Sequence, residues 1–340
     1  MLKLKVKTST EYQITIDKGL YNLGEAVNKF IKGEKVAIIT DENVYAIYGD
    51  LIKDKLPNKA VYTYVVPAGE NSKSKEQYFN LLEKLCSDGF TRNDTVIAFG
   101  GGVIGDLSGF VASTYMRGIT LIQIPTTILS VVDSSVGGKT AINLENGKNL
   151  VGSFYQPRAV YVNTEFLKTL PDKEIKSGFG EIIKYALLSK KVTLDLVKNG
   201  ISEKLIYECL KIKRDIVSKD EKESSLRVLL NLGHTVGHAI ESLSKYQISH
   251  GECVVKGLIY TLKISQKVFN LTQSQIDEIN RIINCYDHDT SCEYSAEQIM
   301  NKVCFDKKGD GKAVKFILLK DVGNPKIVSL THQQIKECIE

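Results

Sequence analysis

Short apolar runs alternate with helix-length segments between about residues 35 and 130. The runs are VAIIT (36–40), TYVVP (63–67), TVIAFGGG (95–102) and ITLIQIP (119–125). Continuous apolar strands that are separated by helices are typical of a parallel sheet covered on both faces. The stretches 72–88 and 103–116 have the apolar spacing of the connecting helices. The pattern therefore predicts an α/β, Rossmann-like parallel-sheet domain in the N-terminal half.

The rhythm changes after about Leu170. Apolar residues at helical spacing dominate long segments, including KEIKSGFGEIIKYALLS, LIYECLKIKRDIVSKDEK and GECVVKGLIYTLKISQKVF. These predict a mainly α-helical C-terminal domain, with a loop and a short hairpin in FDKKGDGKAVKFILLKDVGN. The change of class falls at TLPDK (169–173). We therefore expect two domains, residues 1–170 and residues 171–340.

Composition excludes several classes of protein. The chain has 340 residues, 43% of them hydrophobic, so it can bury two cores. Its 45 basic and 40 acidic residues are interspersed, which argues against nucleic-acid or membrane partners. Seven cysteines without a CxxC pair indicate neither a disulfide framework nor a thiolate zinc site. The opening MLKLKVKTSTEYQI alternates like a half-exposed strand and lacks the apolar block of a signal peptide, so we expect a cytoplasmic protein.

The segment AFGGGVIGD (98–106) has the spacing G-x-G-x-x-G, with Gly100, Gly102 and Gly105 after an apolar strand and at the start of a helix. Such a turn lets the backbone approach a phosphate while the helix N-terminus supplies amide donors. The turn does not follow the first strand, however, and no acidic residue follows about twenty residues later. A tight strand-to-helix turn is the structural alternative. If a dinucleotide binds, Asp41 and Glu70 are candidates to hold its riboses.

The segment VDSSVGGKTAINLENGKN (132–149) contains GKT, as nucleotide-triphosphate sites do. A P-loop needs a glycine five residues before its Gly-Lys pair, and Asp133 occupies that position. The remaining features are Lys139 and Lys148, separated by turn residues. They could clamp a small anion, or they could belong to a solvated lysine loop.

Three of the five histidines are His234, His238 and His250. Since four residues make about one helical turn, His234 and His238 can project from the same face of a helix. This geometry permits a metal site, a catalytic base with a helper, or an ordinary helix that carries imidazoles. Arg227 and Asn231 continue the same spacing, which predicts one polar stripe on a single helix.

The segment GFGEIIKYALL (178–188) places Glu181 and Lys184 three residues apart in a largely apolar helix. Burying either charge alone would be costly, so an internal ion pair is one interpretation. The other is a metal-ligating carboxylate with a nearby ammonium group for substrate. Zinc sites often combine two imidazoles with one carboxylate.

Taken together, the motifs resemble those of the 3-dehydroquinate synthase family within the sugar phosphate cyclases. They are GGGVIGDLSGFVASTYMRG, IPTTILSVVDSSVGGKTAINLENGKNLVGSFYQP, GFGEIIKYALL, LRVLLNLGHTVGHAIE, HGECVVKG and FDKK, spread over about residues 36–320. The resemblance implies one Zn²⁺ or Co²⁺ ion per chain, held by Glu181, His234 and His250. It implies that His238 binds substrate or transfers a proton and is not a metal ligand. Spacing alone would have made both His234 and His238 ligands.

The resemblance also implies the remaining site residues. The residues expected to contact NAD are Asp41, Glu70, Lys73, Gly101, Gly102, Val103, Asp106, Thr126, Thr127, Lys139, Lys148, Phe166 and Thr169. Catalytic roles fall to His238, Lys139, Lys184, Arg227 and Asn231. Substrate-binding roles fall to Arg117, Asp133, Asn149, Lys213 and Lys307, with Lys308 as an alternative to Lys307. Residues 1–170 would then bind NAD, and residues 171–340 would bind metal and substrate.

The implied substrate is a phosphorylated sugar acid, 3-deoxy-D-arabino-heptulosonate 7-phosphate of the shikimate pathway to aromatic amino acids. In the family's reaction, hydride transfer to NAD is followed by phosphate elimination, return of the hydride, ring opening and an intramolecular aldol addition. The resemblance therefore implies a carbon–oxygen lyase that regenerates NAD and forms a homodimer. The alternatives are another sugar phosphate cyclase, a metal- and NAD-dependent alcohol dehydrogenase of the glycerol dehydrogenase type, and a non-catalytic NAD-binding module.

Overall fold

The computed structural model describes residues 1–306 and 313–339. The chain forms two compact units. Unit 1 contains Met1–Leu170 and Lys213–Glu221, and unit 2 contains Pro171–Ile212 and Lys222–Glu340. Residues Lys213–Glu221 therefore belong to unit 1, although a single division at 170/171 places them in the second domain.

Unit 1 is built on a mostly parallel sheet. Its strands are β1 (Leu2–Lys7), β2 (Glu11–Asp17), β3 (Lys35–Asp41), β4 (Ala60–Val66), β5 (Thr95–Gly100), β6 (Thr120–Pro125), β7 (Lys139–Leu144), β8 (Gly147–Phe154) and β9 (Ala159–Asn163). Its helices are α1 (Leu23–Asn28), α2 (Glu42–Asp54), α3 (Lys75–Ser87) and α4 (Gly102–Thr114). The large sheet has the order β1-β2-β9-β6-β5-β3-β4, in which only the β1–β2 pair is antiparallel. The four apolar runs form β3 to β6, so the predicted parallel-sheet fold is confirmed.

Helices cover both faces of this sheet, as strand β5 illustrates. Val96 and Ala98 belong to a core with α3 and α4, whereas Ile97 and Phe99 belong to a core with α1 and α2. Successive side chains of a strand point to opposite faces, so a strand covered on both sides is apolar throughout. All of β5 is buried. The edge at which the parallel strands end remains as the place for a ligand.

Strands β7 and β8 form an antiparallel hairpin outside the main sheet. It occupies the segment in which the sequence indicated a loop bearing Lys139 and Lys148. The hairpin packs on α4, where a Cβ atom at Gly109 would overlap the side chain of Thr140. Glycine at position 109 therefore lets the hairpin approach the helix closely.

Unit 2 is mainly helical, as predicted. Its helical elements are α5 (Asp172–Leu188), α6 (Leu194–Lys198), most of α7 (Glu203–Val217), α8 (His234–Leu243), α9 (His250–Phe269), α10 (Gln273–Ile283), α11 (Ala296–Asp306) and α12 (His332–Ile339). The predicted C-terminal hairpin is β10 (Val314–Asp321) with β11 (Asn324–Leu330). Its apolar side chains share a core with α8, α9 and α11. Among the described residues, no helix is both long enough and apolar enough to span a membrane.

The polar stripe predicted from Arg227 to His238 does not lie on a single helix. Residues Leu226–Asn231 form a 3-10 helix, and α8 begins separately at His234. Gly233 stands between them with φ +79°, a left-handed conformation that glycine adopts at little cost. The prediction of one continuous helix was wrong because this glycine separates the two elements.

Candidate functional site

Three residues that lie far apart in the sequence converge in unit 2. The Oε1 atom of Glu181 on α5 lies 3.3 Å from Nε2 of His234 and 3.1 Å from Nε2 of His250. Helices α5 and α9 can bring these side chains together because they cross at glycines. A Cβ atom at Gly180 would overlap the backbone of Gly251. The close crossing therefore places Glu181 beside His250, the first residue of α9.

The hydrogen bond made by Nδ1 of each imidazole determines how the other ring nitrogen, Nε2, can interact with Glu181. Nδ1 of His234 lies 3.0 Å from the carbonyl oxygen of Leu232, and Nδ1 of His250 lies 3.3 Å from Oε2 of Glu241. A carbonyl and an ionised carboxylate only accept hydrogen bonds, so each Nδ1 carries the hydrogen. A neutral ring then directs its Nε2 lone pair toward Glu181. This arrangement needs a cation at the shared point, which is a metal ion or, without a metal, a proton on Nε2 that makes the ring an imidazolium.

The distances also suit a metal ion. Bonds of about 2.0–2.1 Å at tetrahedral angles separate two ligand atoms by about 3.3 Å. The Glu181–His234 and Glu181–His250 contacts of 3.3 and 3.1 Å match that separation. The donor set therefore fits Zn²⁺ or Co²⁺, which accept mixed nitrogen and oxygen ligands.

A proton can stand in for the metal at this point. Burial lowers the pKa of His250, but hydrogen bonds and charges from Glu181 and Glu241 outweigh burial and raise it to about 10. The same site that favours an imidazolium hydrogen thus favours a divalent cation in its place.

His238 is an alternative to Glu181 as the third metal ligand. Nitrogen atoms of His234, His238 and His250 all lie within 4.8 Å of one another. The rings of His234 and His238 meet edge to face at 5.2 Å between centroids. Partial burial and the charges of His234 and His250 lower the pKa of His238 to about 3, although solvent reaches part of its ring. The Oε1 atom of Glu181 lies 3.3 and 3.1 Å from Nε2 of His234 and His250, so the carboxylate faces the same point as these two imidazoles.

Glu181 and Lys184 form the internal ion pair that the sequence indicated. Lys184 Nζ lies 2.5 Å from Glu181 Oε2, and each side chain is only 1% exposed. Burial raises the pKa of Glu181, but the charges of Lys184 and His234 hold it well below the usual value. The carboxylate therefore stays ionised. Its Oε2 atom faces the ammonium group and its Oε1 atom faces the imidazoles, so an ion pair and a metal ligand are compatible roles.

Glu223, which lies in a run of charged and polar residues, was not indicated by any sequence motif. The side-chain amide of Asn231 donates a hydrogen bond to Glu223 Oε1 at 2.8 Å. Glu223 adopts φ +58°, which is unusual for a non-glycine residue. Arg227, from the same 3-10 helix as Asn231, is buried. No spacing rule links Glu223 to Asn231, because their contact depends on the irregular backbone between them.

In unit 1 the glycine-rich turn has the shape of a phosphate cradle. Strand β5 ends at Gly100, and α4 begins at Gly102. A Cβ atom at Gly101 would lie 3.0 Å from the methyl group of Thr127. The hydroxyl of Thr126, which follows β6, is buried without a hydrogen-bond partner in the described part of the chain. Amide donors at a helix N-terminus, a backbone without side chains and an unsatisfied hydroxyl fit a bound dinucleotide.

Four of the predicted site residues form one network, in which the buried Lys73 contacts the other three. Lys73 Nζ lies 2.7 Å from Asp106 Oδ2, 2.5 Å from Asn149 Oδ1 and 3.7 Å from Glu70 Oε1. Burial raises the pKa of Asp106, and the charge of Lys73 opposes that effect. Asp133 and Lys213 form another ion pair in unit 1, with 3.1 Å between Oδ1 and Nζ, and the charge of Lys213 also opposes the raised pKa of Asp106.

The other predicted site residues are not part of the networks described above. Asp41 caps α2 by accepting hydrogen bonds from the N–H groups of Asn43 and Val44. Phe166 is buried against Phe99, so only its backbone can face a ligand. The rest lie at the following places: Val103 in the first turn of α4, Thr127 bonded to Ser130, Thr169 bonded to Tyr48, Lys148 half-buried, and Arg117 and Lys139 exposed. Lys307 and Lys308 lie outside the described residues.

The two units define the fold of a sugar phosphate cyclase. A crystal structure of 2-deoxy-scyllo-inosose synthase complexed with carbaglucose-6-phosphate, NAD⁺ and Co²⁺ superposes with a TM-score of 0.90. It is 26% identical to this chain, and the match covers 99% of each chain.

Sequence comparison gives the particular family. Residues 63–177 match the family described as 3-dehydroquinate synthase N-terminal, and residues 178–309 match 3-dehydroquinate synthase C-terminal. The 3-dehydroquinate synthase of Alkaliphilus metalliredigens (strain QYMF) is 41% identical over 337 residues, which cover 95% of this chain and 94% of the relative. That of Clostridium botulinum (strain Alaska E43 / Type E3) is 43% identical over 330 residues, with 92% and 93% covered. The chain belongs to the 3-dehydroquinate synthase family.

Proposed function

We propose that this chain converts 3-deoxy-D-arabino-heptulosonate 7-phosphate into 3-dehydroquinate and phosphate, as an NAD- and divalent-metal-dependent carbon–oxygen lyase. The observation that carries the proposal is the convergence of Glu181, His234 and His250 in a chain whose relatives are 3-dehydroquinate synthases over nearly their whole length. The glycine-rich turn in unit 1 supports the NAD requirement.

We assign the metal to Glu181, His234 and His250, and NAD to the turn at Gly101 and Gly102 with the surrounding predicted residues. When bound, NAD exchanges a hydride with the substrate, and the divalent ion polarises the oxygen at the reacting carbon. Glu241 holds the His250 ring through Nδ1, and the Leu232 carbonyl does the same for His234. These hydrogen bonds keep both Nε2 lone pairs directed at the ion.

Cationic side chains suit a substrate that carries a carboxylate and a phosphate. Arg227 is buried, and a guanidinium group can bind either anion through two parallel hydrogen bonds. We assign Asn231 to the substrate hydroxyls, with Glu223 fixing the direction of its amide. The other residues proposed for substrate are Arg117, Asp133, Lys139, Asn149, Lys184, Lys213 and Lys307.

His238 remains off the metal in this proposal. Its ring lies beside the rings of His234 and His250, with 5.2 and 5.7 Å between centroids. An imidazole in that position, with part of its ring open to solvent, can exchange a proton with a substrate hydroxyl group.

The test measures phosphate release and NADH absorbance together. The proposal predicts phosphate release from heptulosonate phosphate without net NADH, and loss of that release after chelation. Net accumulation of NADH would instead favour an alcohol dehydrogenase of the glycerol dehydrogenase type. Turnover of glucose 6-phosphate in place of heptulosonate phosphate would favour another sugar phosphate cyclase, and NAD binding without turnover would favour a non-catalytic module.

We also propose that the chain is a homodimer, with the β7–β8 hairpin in the interface. The hairpin exposes four large apolar side chains, those of Leu144 (44%), Leu150 (61%), Val151 (37%) and Phe154 (44%). Contiguous exposed apolar groups commonly mark protein–protein contacts. Sedimentation velocity should give twice the mass of the chain, and a species with the mass of one chain would contradict the proposal.

A further inference from the structure

Asn143 of β7 forms hydrogen bonds with three residues that the proposed function assigns to ligands. Its side-chain amide donates to Glu70 Oε1 at 2.8 Å, and its Oδ1 atom accepts from the backbone N–H of Asn149 at 2.9 Å. Its own backbone N–H donates to the carbonyl oxygen of Lys73 at 2.7 Å. Glu70 and Lys73 are proposed NAD residues, whereas Asn149 is a proposed substrate residue.

We infer that Asn143 is a positioning residue that holds the NAD carboxylate of Glu70 and the substrate amide of Asn149 in one arrangement. The inference rests on the proposed function, which supplies the two ligands. Asn143 itself was not among the residues that the sequence motifs indicated.

An irregularity in the backbone of the hairpin allows Asn143 to contact Glu70, Lys73 and Asn149. The β7–β8 register pairs Ile142 with Val151 and then Leu144 with Gly147, so Asn143 falls at an irregularity between them. An irregularity of this kind redirects a side chain out of the regular ladder. The N–H group of Asn143 bonds outside the hairpin, to Lys73, while its side chain reaches across to Asn149.

Asn149 needs such support because its backbone is in the left-handed region, with φ +57°. This conformation is unfavourable for residues other than glycine, although asparagine tolerates it better than most. The hydrogen bond from the Asn149 N–H group to Asn143 Oδ1 stabilises it. Lys73 then settles the direction of the Asn149 amide. Since an ammonium group only donates, Oδ1 must face Lys73, and the NH₂ group points elsewhere as a donor for substrate oxygens.

The chemistry at position 143 requires one donor and one acceptor. The Glu70 carboxylate can only accept, and the Asn149 N–H group can only donate. An amide of this length supplies both. Aspartate would keep the acceptor for Asn149 but would lose the donor and place a second carboxylate against Glu70. Alanine would remove both hydrogen bonds.

These differences define the experiment. NAD affinity is measured by calorimetry, and kcat and the KM for heptulosonate phosphate are measured at saturating NAD. For Asn143→Ala we expect the NAD Kd and the KM each to rise about three- to tenfold, as loss of one net hydrogen bond implies, with kcat nearly unchanged. For Asn143→Asp we expect the NAD Kd to rise at least as much as for Asn143→Ala, because the new carboxylate also repels Glu70, while the KM stays near the wild-type value. Asn58→Ala, an exposed asparagine in a turn of unit 1 outside the hairpin, should match wild type in all three.

The split between the two variants separates positioning from a general loss of structure. A merely structural role would lower the melting temperature and change Kd and KM alike in both variants, and that result would overturn the inference. Wild-type values for Asn143→Ala would also overturn it. If Asn143→Ala fails to fold, Asn143→Asp still decides through its own Kd and KM. If the wild-type chain releases no phosphate, the proposed function fails, yet NAD binding by Asn143→Asp still tests the Glu70 contact independently.

Discussion

The candidate sites of the two units are built in opposite ways. In unit 2 the ionised groups are almost completely buried, with Glu181 and Lys184 each 1% exposed, and they compensate one another around a single point. In unit 1 the groups lie at strand ends and on a hairpin, where Lys139 and Asn149 are exposed and Lys148 is half-buried. Lys73 and Lys213 are buried cations among these unit 1 residues.

This difference predicts whether a substitution changes mainly stability or mainly ligand affinity. Removing one member of a buried ion pair leaves its partner uncompensated, so it costs stability as well as function. Removing a half-exposed group leaves water to replace it, so the cost should appear mainly in ligand affinity. Unit 2 should therefore respond in metal content and stability, and unit 1 in ligand binding.

The largest effect is expected for His250→Ala. Loss of this ligand should abolish tight metal binding and reduce phosphate release at least about 100-fold, because a Lewis acid contributes several kcal/mol to the transition state. NAD binding should persist, since the glycine-rich turn belongs to unit 1. Metal analysis, phosphate assay and calorimetry measure the three quantities, with the exposed His332→Ala as the control. A full complement of metal in His250→Ala would remove His250 from the ligand set.

Lys184→Met should lower the free energy of unfolding of the metal-free protein by about 3 kcal/mol, because it leaves the buried Glu181 carboxylate without its ion pair. Lys190→Met is the matched control. Lys190 lies just beyond the same helix and makes an exposed pair with Asp321 at 3.6 Å, which should contribute little. Chemical denaturation compares the two variants. Equal stability for both would show that the Glu181–Lys184 pair is not a stabilising contact.

Glu241→Gln should weaken metal binding about 10- to 100-fold, as is usual when a partner of a ligating histidine is altered. Glu241 is buried, and its Oε2 atom contacts Nδ1 of His250. Competition with a chromogenic chelator gives the affinity. Wild-type affinity in this variant would mean that His250 is oriented without Glu241.

The smallest of these effects is expected for Lys148→Ala in unit 1. Lys148 is a proposed NAD contact, so loss of its charge-assisted hydrogen bond should weaken NAD binding about tenfold. The melting temperature should stay unchanged because Lys148 is half-buried on the hairpin. Calorimetry and thermal unfolding measure the two effects. A large fall in melting temperature with normal ligand affinity would give Lys148 a structural role and remove the contrast with unit 2.

The same contrast explains how much the sequence could predict. Strands β3 to β6 were predictable because a parallel strand that is buried on both faces is a continuous apolar run. The β7–β8 hairpin was not, because its strands mix lysine, asparagine and glycine with a few apolar residues and show no regular alternation. The role of Asn143 was missed for the same reason, since its bonding depends on an irregular register that no periodicity reveals.

In the metal site, spacing predicted that His234 and His238 share a face, and both indeed lie on α8. It could not bring Glu181 to them, because that contact depends on a helix crossing at Gly180 and Gly251 between segments far apart in the chain. The residue pattern offered Glu181 either as part of an ion pair or as a metal ligand, and the resemblance to the family selected it as a ligand together with His234 and His250. Glu223 and Glu241 were not indicated at all, since a single glutamate in a polar or helical segment carries no distinctive pattern.

Anomalous X-ray scattering from crystals of the Co²⁺-loaded protein would test the ligand set most directly. We predict one strong cobalt peak per chain, about 2.0–2.2 Å from Nε2 of His234, Nε2 of His250 and a carboxylate oxygen of Glu181. His238 should lie outside that bonding distance. A peak bonded to His238 in place of Glu181, or no peak among these residues, would contradict the account.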